Sequence, residues 1–133
     1  MDSKDFHTIA QKIYSELSEP EEAILRTVVG RAYYSVYLKT RDWIDQKFPE
    51  DLSLCFGKSH ERYTNCLIKL QQKHMDLRFS KFSRELKGLK DQRHFADYEV
   101  GEEDILGKVN TEMALLLAEQ LLNDLDLLIN KYS

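Results

Sequence analysis

The scarcity of chain breakers constrains this sequence more than any other feature. Two prolines and five glycines are spread over 133 residues, and apolar side chains recur at steps of three and four. Amphipathic helices need that recurrence, whereas a sheet of many short strands needs more turn residues than the chain holds. The pattern predicts an all-α protein, an antiparallel bundle of four to five helices in a single domain covering residues 1–133. A domain of this length buries roughly two-thirds of the surface its unfolded chain exposes, enough to fold without a metal or a disulfide.

Five helical segments are predicted. Phe6, Ile9, Ile13 and Leu17 share one face of a first helix from about Lys4 to Leu17. A second and longest runs from about Glu21 to Lys47. Its stripe of Ile24, Val28, Ala32, Tyr33 and Val36, broadened by Val29, Tyr37, Trp43 and Ile44, marks the central helix of the bundle. Phe48-Pro49 stops it, and residues 50–58 are expected as a loop. Ser59 is expected as the N-cap of a third helix with Tyr63, Cys66, Leu67 and Leu70 facing inward; Arg62 stands where a capping box would carry an acid. The fourth is predicted from about Phe79 to Val100 and the fifth from about Glu102 to Tyr132. In the last, Leu115, Leu116, Leu122, Leu127 and Ile129 spread beyond the main apolar stripe. One core does not easily absorb them all, so this helix is expected to pack against a second copy of the chain.

The formal net charge of −4 argues against a broad electrostatic footprint for nucleic acid, although a local cluster of cations would still bind phosphates. Cys55 and Cys66 have no CxxC partner and no His at zinc spacing, and are expected as two reduced thiols. The first residues are too polar for a signal peptide, and no run approaches the roughly 18 apolar residues of a membrane span. A cytoplasmic protein with no membrane association, no metal and no cofactor is the expectation.

Two stretches interrupt apolar helical faces with chemistry-bearing residues. The first is Arg26-Thr27-Val28-Val29-Gly30-Arg31-Ala32-Tyr33-Tyr34-Ser35-Val36-Tyr37. Gly30 costs about 1 kcal/mol against Ala inside a helix and suggests close approach of another backbone. Of the tandem tyrosines, one ring belongs to the core and the other to a surface or cleft. The second stretch, Leu89-Lys90-Asp91-Gln92-Arg93-His94-Phe95-Ala96-Asp97-Tyr98, packs donors, acceptors and an imidazole into a few turns. Lys81, Arg84, Lys87 and Lys90 precede it at steps of three, either as a solvated face or as a phosphate track. Arg93 and Asp97 have the i,i+4 spacing of an intrahelical ion pair, and His60 near a helix start fits a surface residue.

Together these segments resemble small HEPN proteins of prokaryotic nucleotidyltransferase, toxin–antitoxin and antiviral systems. The first looks like their R-A-Y-Y-x-x-[FY] helix and the second like their R-x-x-A-D-Y signature. Gly57-Lys58-Ser59-His60 falls where they carry a short Thr/Ser-His element. Order and spacing agree over about residues 20–100. The resemblance implies a helical bundle acting on RNA, in many members a metal-independent endoribonuclease with an R-x(4–6)-H motif. In such a motif Arg holds the scissile phosphate and His moves a proton as the 2′-hydroxyl attacks.

By that correspondence Arg93, His94 and Tyr98 are the candidate catalytic residues, and Arg31, Tyr34, Lys90 and Asp97 the candidate substrate-binding residues. The motif is degenerate, because Tyr98, Glu99 and Val100 occupy the positions where the second His belongs. The expected partners are RNA or a nucleotide, a second copy of the chain in a homodimer, and a nucleotidyltransferase or another defence protein. A non-catalytic adapter or nucleotide-binding role stands as the alternative.

Overall fold

The computed structural model describes residues 7–11, 22–98 and 104–132, and the side chains of 7–11, 27–92 and 111–132. Residues 7–11 are helical (α1). They are followed by α2 (Glu22–Lys47), α3 (Pro49–Ser53), α4 (Ser59–His74), α5 (Leu77–Tyr98) and α6 (Asp104–Lys131). The protein is an all-α bundle, with no strand among the described residues. Of the helix predicted over Lys4–Leu17, only residues 7–11 fall within them. The other long helices begin and end within about two residues of their sequence-based limits.

Two local expectations need correction. Residues 50–58 are not all loop, because Pro49 opens α3 instead of merely ending α2. A proline in the first turn forfeits no helical hydrogen bond, and Glu50 and Asp51 suit the positive end of the helix. Ser59 is not the N-cap of α4 but its first helical residue. The cap position belongs to Lys58, which is extended and makes no side-chain capping bond. Arg62 turns back instead, donating from Nε and Nη2 to the Leu52 carbonyl at 3.3 and 3.1 Å, which ties α3 to α4.

α2 packs against α6, α5, α3 and α4, the central position its broad stripe implied. Val28, Ala32, Tyr33, Val36 and Ile44 of α2 meet Leu67 and Leu70 of α4, Phe79, Phe82, Leu86 and Leu89 of α5, and Leu121, Leu125 and Leu128 of α6 in one core. Each large aliphatic or Phe side chain buried there stabilises the fold by about 1.5–3 kcal/mol. Trp43 stacks on Phe79 with centroids 6.2 Å apart, and Phe79 meets Tyr132 at 5.1 Å, so the end of α2, the start of α5 and the end of α6 converge. α5 therefore runs antiparallel to both neighbours.

The same core takes in Leu115 and Leu122, while Leu117 and Ile129 pack against its edge. Of the five residues that spread beyond the main stripe, the core therefore takes Leu115 and Leu122 and borders Ile129, but it does not take Leu116 and Leu127. Met113, Leu116 and Leu127 remain exposed on α6, and polar Gln120 and Asn123 separate them.

α4 and α5 form a hairpin turned by Met75 and Asp76. Met75 ends α4 in the left-handed region (φ 56°), which suits glycine better. Asp76 pins the turn. Its carboxylate accepts hydrogen bonds from the Arg78 backbone N–H (3.1 Å), Arg78 Nε (3.1 Å) and Nη2 (2.9 Å), Lys131 Nζ (3.1 Å) and the Tyr132 hydroxyl (2.8 Å). The Arg78 guanidinium, foremost among these donors, holds the Asp76 carboxyl well below the usual carboxylate range against the opposing effect of burial.

Gly30 is not a point of close approach. A Cβ built there meets no atom within 4 Å. Gly30→Ala is therefore expected to stabilise the protein by about 0.5–1 kcal/mol, through helix propensity alone. Thermal denaturation checks this, and a lowered midpoint would show that something else needs the room.

Candidate functional site

The inward faces of α4 and α5 leave their flanking positions to form a groove. On α4 the core takes Tyr63, Cys66, Leu67 and Leu70, so Glu61, Thr64, Asn65 and Ile68 turn to one side. On α5 the core takes Phe79, Phe82, Leu86 and Leu89, and Ser80, Arg84, Lys87, Lys90 and Asp91 face those α4 residues across a cleft of about 670 Å³. Ser83 Oγ donates to the Thr64 carbonyl at 3.1 Å and joins the two walls. Tyr33 of α2 and His60 at the start of α4 also line it.

The basic row divides. Lys81 reaches Glu85 at 3.8 Å and is not part of the cleft wall. Arg84, Lys87 and Lys90 are exposed along it, at three-residue steps that rise about 4.5 Å each. Glu61 and Asp91 share the walls with them, so positive charge is concentrated on one side of a mixed groove.

An aromatic cluster backs the α2 side. The Tyr33 hydroxyl is hydrogen-bonded to His60 Nδ1. The imidazole stacks on Tyr37 at 4.0 Å and on Tyr33 at 5.4 Å, with Tyr34 edge-on at 6.1 Å. Behind it, the Tyr63 hydroxyl donates to Asp45 Oδ1 at 2.6 Å. Burial first, and then Asp45, push the Tyr63 phenol up to about 12, and burial also raises Tyr37. Both phenols stay protonated near neutral pH and can donate but not act as bases. Among the described cleft residues, His60 alone carries a side chain of the type that exchanges protons near neutrality.

The sequence-predicted residues distribute unevenly. Lys90 lines the cleft. Tyr34 and Arg31 are half-buried and do not; Tyr34 supports the His60 ring from behind. Arg93, His94, Asp97 and Tyr98 lie on the continuing α5 backbone, and their side chains fall outside the described residues. The expected i,i+4 pair of Arg93 and Asp97 falls outside them too.

The sequence placed Tyr33 in the apolar stripe of α2, where it is buried, but did not reveal its hydroxyl bond to His60. His60, read as a surface residue, is partly buried in the aromatic cluster. A signal for His60 was present, because it precedes Tyr63 by three and Leu67 by seven residues and so shares their helical face.

Among the described residues no group of His, Cys, Asp and Glu is arranged to hold a metal, and no helix is long and apolar enough to cross a membrane. No family model matches the chain, and no curated protein or solved structure is significantly similar to it.

Proposed function

We propose that this protein acts on RNA as a HEPN-type component of a toxin–antitoxin or phage-defence system, binding the RNA backbone in the α4–α5 cleft and cleaving it without a metal. The supporting observation is convergence. Tyr33 from the Arg31-Ala32-Tyr33-Tyr34 segment, His60 from Gly57-Lys58-Ser59-His60, and Lys90 from the run that ends in Asp97-Tyr98 meet in one cleft. Residues brought together from three separate segments suit a shared ligand better than three independent surface roles.

Arg84, Lys87 and Lys90 supply phosphate contacts. The α5 backbone stays helical to Tyr98, so His94 and Tyr98 follow Arg84, Lys87 and Asp91 at steps of three and four. In this scheme His94 moves the 2′-hydroxyl proton and Arg93 offsets charge on the phosphate. Tyr34 acts through the His60 ring that it supports, and Asp97 orients its neighbours, while Arg31 lies outside the cleft wall.

The test is incubation of total RNA with purified protein in EDTA, comparing wild type with Arg93→Ala and His94→Ala. Cleavage is expected, falling by about 10²-fold or more in each variant. A folded wild-type protein that binds RNA without cutting it would favour the second reading, a non-catalytic RNA- or nucleotide-binding protein or dimeric adapter that serves a nucleotidyltransferase or another defence protein. The hydrogen-bonded, stacked His60 favours that reading, since it has the character of a scaffold. Absence of RNA binding would overturn the action on RNA and leave only the adapter role.

A further inference from the structure

The sequence treats Cys55 and Cys66 as unrelated thiols, but the fold brings them together. Cys55 follows α3 and Cys66 sits in the middle of α4, both reduced. Two side chains fasten the backbone on either side of Cys55 to α4. Arg62 holds the Leu52 carbonyl, and Asn65 Nδ2 donates to the Phe56 carbonyl at 3.0 Å. With the carbonyls on both sides of it held by Arg62 and Asn65, Cys55 is laid against the stretch of α4 that carries Cys66 and packs on the core that encloses the Cys66 thiol. Cys55 Sγ also reaches the Asp51 carbonyl at 3.3 Å. Their exposures are unequal: Cys55 is half-buried at the edge of the core and Cys66 is fully enclosed.

We infer that Cys55 and Cys66 form an oxidation site that a hydroperoxide closes into an intrachain disulfide. The Cys55 thiolate sulfur attacks the peroxide. An S–O bond forms, the O–O bond breaks, and hydroxide leaves with a proton as water. The Cys66 sulfur then attacks the resulting sulfenic acid; the S–S bond forms, the S–O bond breaks, and the departing hydroxide takes the Cys66 proton as a second water. Two thiols are oxidised by two electrons and one peroxide is reduced. Cys66 is fully enclosed, and its burial also pushes its thiol up to about 12, so it does not meet oxidant on its own account and acts as the resolving partner of the more accessible Cys55. The bridge would stiffen the 54–58 loop against α4 next to Asn65 and Glu61, two residues of the cleft wall.

The experiment treats the whole protein with hydrogen peroxide, quenches with catalase, alkylates under denaturing conditions and maps peptides without reductant. A Cys55–Cys66 peptide lighter by two hydrogens is expected, returned to two thiols by dithiothreitol. Because the bridge closes a short loop, the oxidised form should melt roughly 5–10 °C higher, and trypsin should cut after Lys58 more slowly. Cys66→Ala should leave a sulfenic acid on Cys55 that dimedone traps, and Cys55→Ser should leave Cys66 unoxidised. Over-oxidation of Cys55 with Cys66 still free, or bridges only between chains, would overturn the proposal. The wild-type map decides it even if Cys66→Ala does not fold.

Discussion

Replacing Arg84, Lys87 and Lys90 together by Gln is expected to weaken RNA binding about a hundredfold at ~0.1 M salt. Each phosphate contact on a single strand releases about 0.7 of a counterion, worth about 1 kcal/mol at that ionic strength, so three contacts sum to about 3 kcal/mol. The same arithmetic fixes a second signature: the slope of log affinity against log salt should become shallower by about two. All three side chains are exposed, so the fold should be unaffected, as circular dichroism would show. Lys81→Gln is the internal control, since Lys81 is already paired with Glu85 away from the cleft. An unchanged salt slope in the triple variant would mean that RNA contacts the protein elsewhere.

The second large effect concerns acid stability. Asp76→Asn is expected to destabilise the protein by about 1–2 kcal/mol near neutral pH, because the charged hydrogen bonds from Arg78 and Lys131 are lost. The lower part of the usual range applies because both cations are half-exposed to solvent and screened. The sign with pH follows from the depressed carboxyl. Its stabilisation is fully present above the unfolded-state value near 4 and fades as pH falls toward the folded-state value. Wild type and variant should therefore differ by a constant amount above about pH 5, draw together progressively below about pH 4, and converge only where Asp76 is protonated in the folded protein as well. Urea denaturation across that range measures the difference, and a gap that stays constant on acidification would show that Asp76 acts through geometry rather than charge.

The fold was legible because helical periodicity is a local property. The spacing of Tyr63, Cys66, Leu67 and Leu70 sufficed to place α4, and Val28, Ala32 and Val36 identified the central helix. Where the sequence misled, the deciding quantity was tertiary. How many leucines one core can hold depends on three facing helices: Leu115 and Leu122 fit, whereas Leu116 and Leu127 stay exposed. Gly30 resembles a contact point in sequence, and only its surroundings show open space. The cleft lay between these extremes. The three-residue spacing of Arg84, Lys87 and Lys90 can be read directly, but their facing Glu61 and Thr64 of α4 depends on a hairpin whose turn chemistry centres on a left-handed Met75. The placement of Cys55 against α4 was hidden for the same reason, since it depends on Arg62 and Asn65 grasping backbone carbonyls.

The hairpin also has a temporal consequence. Both walls of the cleft come from one stretch of chain joined by Met75 and Asp76, so they meet at little loop-closure cost. The groups that secure their turn, Lys131 and Tyr132, follow 55 and 56 residues after Asp76. During synthesis the groove can take shape well before its clasp emerges. A clasp that closes late contributes little to the folding barrier, so loosening it should accelerate unfolding while leaving the folding rate nearly unchanged.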